Sequence, residues 1–269
     1  MIEIDNVSVT YAGEVHALRE VSLTLRDGEF TVLLGHSGAG KSTLLRALNY
    51  LQPPTAGQIR FAGTEIGAGP GLRLHRRRTA MIFQLHQLIA RQSALQNVLL
   101  GRIGYYSTWR SLIPFPRADV DLALTCLDRV GLLDKAESRC DALSGGERQR
   151  VGIARALCQK PETVLADEPV ASLDPVASRR VLDILRGVCS EDGLTAVVSL
   201  HQVEFAREFG ERIIGLQGGR VVFDGPPADL TDADLARIYP STEPTKRTAV
   251  DAPETTSQRR PSHGMEACS

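Results

Sequence analysis

The sequence has no apolar run that approaches the ~18 residues a membrane span requires, and Met1 leads straight into the alternating IEIDNVSV with no charged-then-apolar leader in front. Cysteine is sparse. Cys126, Cys140, Cys158, Cys189 and Cys268 are odd in number, far apart and without a C-x-x-C pair, which excludes a disulfide framework and a thiolate metal site and points to a reducing compartment. No sign of charge dominates: 31 Lys and Arg stand against 32 Asp and Glu, so a nucleic-acid partner has no general electrostatic basis. The local run Arg76, Arg77, Arg78 reads as a solvated surface turn. Aromatics make up only 5%, and the lone tryptophan, Trp109, lies in YYSTWRSLIPFP, a stretch too rich in aromatics and prolines for a simple helix and suited to a core or a docking surface. There is no internal repeat.

What is present is an alternation. Short apolar runs with strand character recur at FTVLL (30–34), AMIF (80–83), TVLA (163–166) and TAVVSL (195–200). Helical spacing follows in STLLRALNYL, VDLALTCLDRVGLL, VGIARALCQ and VASRRVLDILRGVC. Strand and helix in turn imply an α/β core around a largely parallel sheet covered on both faces. The early segments IEIDNVSVTY, VHALREVSLTL and GQIRFAG read instead as strands joined by turns, a smaller antiparallel layer beside that core. RIIGLQGGRVVFDGPP predicts a hairpin turning at Gly218 and Gly219, and ADLTDADLARIY a short capped helix. From 241 to 269 the composition shifts to Ser, Thr, Pro, Glu and Arg, the signature of a disordered tail.

Gly35, Gly40, Lys41 and Ser42 fit G-x-x-x-x-G-K-[ST] between a strand and a helix, the context a phosphate-binding loop requires. The loop Gly35, His36, Ser37, Gly38, Ala39, Gly40, Lys41, Ser42, Thr43 would wrap nucleotide phosphates in backbone amides, with Lys41 as a point charge and the Ser42 hydroxyl offered to Mg²⁺. TVLADE ends in two acids at a strand end that faces the same crevice. Asp167 suits Mg²⁺, and Glu168 is placed to polarise an attacking water. His201 and Gln84 each end an apolar strand run and should emerge at that sheet edge, where His201 either touches a γ-phosphate or is a structural or surface histidine, and Gln84 either joins it or is an exposed loop glutamine. Tyr11 either stacks on a base or packs in its own layer. A second glycine-rich stretch, LSGGERQR at 143–150, also has the form of an anion site at a helix start, although one nucleotide does not need two.

With these pieces in order, the chain resembles the ATP-binding cassette transporter ATPases over residues 1 to about 240. The resemblance is carried by Tyr11, GHSGAGKST, Gln84, LSGGERQ, VLADEP, the SLD at 172–174 and His201. It implies a P-loop fold with a RecA-like core, an antiparallel β subdomain and a helical subdomain inserted roughly at 85–160. It also implies ATP and Mg²⁺ as cofactors, with Ser42, Gln84 and Asp167 toward the metal and Glu168, His201 and Gln84 in hydrolysis. In that family two subunits pair head to tail. Leu143, Ser144, Gly145, Gly146, Glu147 and Gln149 of one copy would then cover the ATP on the other copy's phosphate loop, beside the D-loop Ser172, Leu173, Asp174. A finer resemblance, to phosphonate-importer ATPases, rests on VLLGRIGYYSTWRSLIPFP, DEPVASLDP, SLHQVEFA and LTDADLARIYP; His36, where proline is frequent, and QLHQLIARQS depart from it. The implied partners are a second copy, transmembrane permease subunits contacted through Gln84 to about Pro116, and, indirectly, an external solute-binding protein, with the chain held on the cytoplasmic face of the membrane. An importer of another solute such as phosphate or amino acids, a soluble cassette ATPase of DNA repair or translation, a P-loop kinase and a non-hydrolysing ATP-binding module are the competing readings; the last three fit LSGGERQ, the single unit or the intact Glu168 and His201 less well.

Overall fold

A computed structural model describes residues 1–67, 69–84, 87–107 and 114–240. Trp109, Leu85, His86 and the stretch 241–269 lie outside the described residues, and with them the expectation of a disordered tail. In chain order the elements begin β1 (Ile2–Tyr11), β2 (Val15–Leu25), β3 (Phe30–Leu34), α1 (Lys41–Leu48), β4 (Ala56–Phe61), β5 (Thr64–Glu65), α2 (Pro70–Arg78) and β6 (Thr79–Ile82). They continue α3 (Ala94–Leu99), α4 (Arg117–Arg129), α5 (Gly145–Cys158), β7 (Thr163–Ala166), α6 (Pro175–Asp192), β8 (Thr195–Ser199), α7 (Val203–Phe209), β9 (Arg212–Gln217), β10 (Arg220–Gly225) and α8 (Asp232–Ile238).

Two sheets result. The antiparallel layer runs β2-β1-β4-β5, and the central sheet runs β10-β9-β3-β8-β7-β6, parallel except for the β9–β10 hairpin. FTVLL, TVLA and TAVVS are apolar at nearly every position because their strands are covered on both faces, and each residue in them is buried. Alternate side chains therefore feed different cores. Val32 and Leu34 of β3 join one packed against α4 to α7, whereas Leu33 joins another under the antiparallel layer and α1. Between β6 and β7 the described chain includes α3, a 3₁₀ turn at Leu100–Tyr105, α4, two further 3₁₀ turns at Leu133–Lys135 and Cys140–Ala142, and α5.

Two local findings depart from expectation. Arg76, Arg77 and Arg78 are not a solvated turn but the last turn of α2, which opens with Pro70 and ends in basic residues as the negative end of a helix favours. All three are engaged: Arg76 Nη2 donates to Tyr50 O at 2.8 Å, the Arg77 guanidinium lies 3.9 Å from the Tyr105 ring centroid, and Arg78 Nε donates to Glu162 Oε1 at 2.6 Å. In YYSTWRSLIPFP, the described aromatics serve the chain's own packing. Tyr105 Oη donates to Gln159 O at 2.8 Å, Tyr106 Oη to Asp119, and Tyr106 and Phe115 meet edge to face at 6.1 Å.

Candidate nucleotide site

The loop between β3 and α1 is shaped by glycines at two positions. Gly40, at φ 107°, caps α1 with no side chain, and a Cβ there would stand 2.6 Å from Ala17 O. Gly35 is pressed equally hard, its Cβ position lying 2.6 Å from Leu216 O. The β9–β10 turn braces the loop from outside: Gly219 N donates to Ala39 O at 3.1 Å, and Gly219 O accepts from Arg19 N at 2.9 Å. Ser37 through Thr43 thus line a cavity of about 450 Å³ together with Tyr11, Gln84, Glu168 and His201. Tyr11 packs on the core beneath the antiparallel layer, and its Oη lies 3.3 Å from Thr43 Oγ1 at the cavity wall.

Lys41 is almost wholly buried, and its Nζ donates to Gly35 O at 2.7 Å and His36 O at 3.3 Å. Burial pushes its pKa down, opposed by the negative charges of Glu168, 3.8 Å away, and Asp167. Glu168 is the hub of the cavity. Its Oε1 meets His201 Nε2 at 2.5 Å, and its Oε2 accepts from Gln84 Nε2 at 3.0 Å. The residue itself sits at φ 48°, a left-handed conformation that a side-chain-bearing residue adopts at a cost of about 1–3 kcal/mol. A residue the sequence reading missed holds it there: Ser199 Oγ accepts the Glu168 backbone N–H at 2.8 Å and donates to Asp167 Oδ1 at 3.1 Å. Asp167 Oδ1 also accepts from Ser42 Oγ at 2.8 Å, joining the phosphate loop to the end of β7.

LSGGERQR lies in a separate cavity of about 520 Å³, lined by Ser144, Gly145, Gly146 and Glu147 with Ser172, Leu173 and Asp174, and it shares no lining residue with the first. Ser144 caps α5 in a reciprocal box, its Oγ accepting from Glu147 N at 3.3 Å while Glu147 Oε2 accepts from Ser144 N at 2.8 Å. Lys135 pairs with the same carboxylate and, with that box, holds it down at about 2. Asp174 caps α6 by accepting from Val176 N and Ala177 N at 3.0 Å. Leu143 and Gln149 turn away from this cavity into the protein; Gln149 is fully buried, with neither amide atom hydrogen-bonded.

Comparison with known proteins gives a consistent set. Residues 18–171 match the ABC transporter family. The chain is 62% identical to the phosphite import ATP-binding protein PxtA of Stutzerimonas stutzeri, over 89% of this chain and 87% of that one. It is 59% identical to the phosphonates import ATP-binding protein PhnC 3 of a Nostoc species, over 90% and 93%. Among solved structures, it is similar to a dimeric post-hydrolysis state of an ATP-binding cassette bound to ADP and Pi, with 36% identity and a TM-score of 0.75 over 84% of this chain and 99% of that one.

Proposed function

The chain belongs to the ABC transporter family as an ATP-hydrolysing import subunit, and we propose that it energises uptake of phosphonate or phosphite through a membrane permease. The observation that carries the mechanism is the presence of two separate cavities on one chain, one built on the phosphate loop and one on LSGGERQR. A single nucleotide on the first leaves the second without a role unless it belongs to another copy. Two copies set head to tail would bring Ser144, Gly145 and Gly146 of each over the nucleotide of the other, a closed isologous pair. The dimeric cassette that this chain resembles supports that reading.

In the proposed cycle, nucleotide phosphates take over Lys41 Nζ from the carbonyls of Gly35 and His36, and the loop amides close around them. The Ser42 hydroxyl and Asp167 carboxylate, 2.8 Å apart and without a cluster of three acidic, His or Cys ligands among the described residues, fit a Mg²⁺ that shares phosphate and water ligands. A Mg²⁺ held by Ser42 and Asp167 would supply positive charge against the phosphates. Glu168 takes the proton of the attacking water, oriented by Gln84 and by His201, whose backbone O accepts from Tyr239 Oη at 3.3 Å. No described helix is long and apolar enough to cross a membrane. The likeness to import ATP-binding subunits supports a place on the cytoplasmic face, held there by a permease through the stretch after Gln84. Cargo specificity is tested with the chain reconstituted beside its permease and binding protein: phosphonate or phosphite should raise ATP turnover, and a rise with sulfate or amino acids instead overturns the assignment.

A further inference from the structure

His201 lies between β8 and α7 and belongs to neither, and its side chain is 39% exposed, yet its Nε2 stands 2.5 Å from Glu168 Oε1. Something must hold it there. Among the described residues its backbone carbonyl has one hydrogen-bond donor, Tyr239 Oη at 3.3 Å. Tyr239 comes from the far end of the described chain, where α8 carries it to this point. Thr231 and Asp234 cap the start of α8 in a reciprocal box, and Arg237 Nη2 fastens it to β10 by donating to Val222 O at 2.6 Å. The buried Ile238 fills the space that a side chain at position 215 would need, since a Cβ on Gly215 would stand 2.5 Å from Ile238 Cδ1. Gly215 pairs with Leu34, the last residue of β3. The residue after Ile238 therefore arrives over the start of the phosphate loop.

The Tyr239 hydroxyl accordingly meets two segments at once. Burial pushes its pKa up, and a hydrogen bond with the Gly35 backbone opposes that shift. Gly35 O in turn accepts from Lys41 Nζ at 2.7 Å. A second tie runs the same way: Arg207 of α7, the helix that follows His201, donates through Nη2 to Leu230 O at 2.9 Å, just ahead of α8. Reacting groups displaced by about 1 Å can lose roughly 10²-fold in rate, so a tether on the His201 backbone has a direct consequence for the imidazole. We propose that Tyr239 is a positioning residue for ATP hydrolysis, its hydroxyl fixing the His201 backbone against the phosphate loop so that the imidazole stays on Glu168. The proposal rests on the hydrolytic roles given above to Glu168 and His201. It gives α8 a task beyond covering β9 and β10.

The test is Tyr239→Phe in the full chain, measured beside the parent and Glu168→Gln. The ring packs on the larger core and is retained, so KM for ATP and the melting temperature should stay close to those of the parent. In the assembled transporter kcat should fall about fivefold, the loss of one hydrogen bond expressed as a rate. The His201 imidazole signal in a ¹H–¹⁵N spectrum of the subunit, assigned by its loss in His201→Gln, should shift in Tyr239→Phe; a tyrosine that only packs would leave it in place. With Glu168→Gln inactive, an unchanged kcat or an unmoved His201 signal overturns the positioning role and leaves the hydrolytic reading standing. A fall in kcat matched by an equal loss of ATP affinity overturns it too, because Tyr239 would then shape the phosphate loop and not His201. A parent-like rate in Glu168→Gln overturns both readings.

Discussion

Glu168→Gln isolates the proton-accepting role from the shape of the site. The amide keeps the length of the side chain and one acceptor oxygen, and the surrounding donors can be met again: with the amide oxygen turned to Lys41 and His201, the amide nitrogen faces Gln84, whose own amide need only flip from the 3.0 Å contact it makes now. The left-handed backbone at φ 48° and its support from Ser199 are untouched. What disappears is the proposed base. General-base catalysis contributes roughly 10²–10⁴-fold, equivalent to roughly 3–5 kcal/mol of barrier, so phosphate release by the assembled transporter should fall by that factor. ATP affinity should hold or improve, because a negative charge is removed from the wall that receives the γ-phosphate. Phosphate release and equilibrium ATP binding measured on the same preparation decide the matter. Turnover within tenfold of wild type, or loss of binding in step with turnover, would refute the role given to Glu168.

Other substitutions probe the remaining parts. Gly146→Asp has room within its own chain, its Cβ position lying 3.7 Å from Ala177 Cβ, so the monomer should bind ATP normally while ATP-driven dimerisation in sedimentation fails through repulsion of the partner's phosphates; equal dimerisation contradicts the reading of LSGGERQR. Gly40→Ala, pressed against Ala17 O, should lose ATP affinity and more stability than Gly38→Ala, which has positive φ but open space; the reverse order in melting and binding curves would count against the loop geometry. Glu147→Ala removes the carboxylate half of the α5 capping box and the pairing with Lys135, leaving the Ser144 hydroxyl on the backbone N–H, and should cost about 1 kcal/mol in urea unfolding. Because the folded pKa, about 2, is below the usual 4.5, that difference should be full above pH 4.5 and vanish as pH falls through 2; a difference independent of pH would show that the carboxylate is not its source.

The strands and the phosphate loop were legible because their signals are local: continuous apolar runs and a fixed glycine and lysine spacing. α2 was not, since PGLRLHRRR has little apolar periodicity and gains its helix from Pro70, from its basic end and from contacts of Arg76, Arg77 and Arg78 with residues far along the chain. Ser199 was hidden for the opposite reason: inside TAVVSL a serine reads as one more strand residue, and only pairing of β8 with β7 sets it beside Asp167 and Glu168. Gln149 could have been read more closely. It precedes Ile153 and Leu157 by four and eight positions, one buried helix face, so its inward turn was written in the spacing even though the motif drew attention outward.

The composite site is tested most directly by mixing two defective chains. In a Glu168→Gln background, one copy carries Lys41→Ala and loses its phosphate loop, and the other carries Gly146→Asp and loses its covering loop. Neither alone should retain ATP after free nucleotide is removed. A mixed head-to-tail pair rebuilds one intact site, from the phosphate loop of the Gly146→Asp chain and the LSGGERQR of the Lys41→Ala chain, so the mixture should trap ATP. If the mixture retains no more than either chain alone, under conditions where the Glu168→Gln parent traps ATP, the two cavities do not complete each other across a pair of subunits.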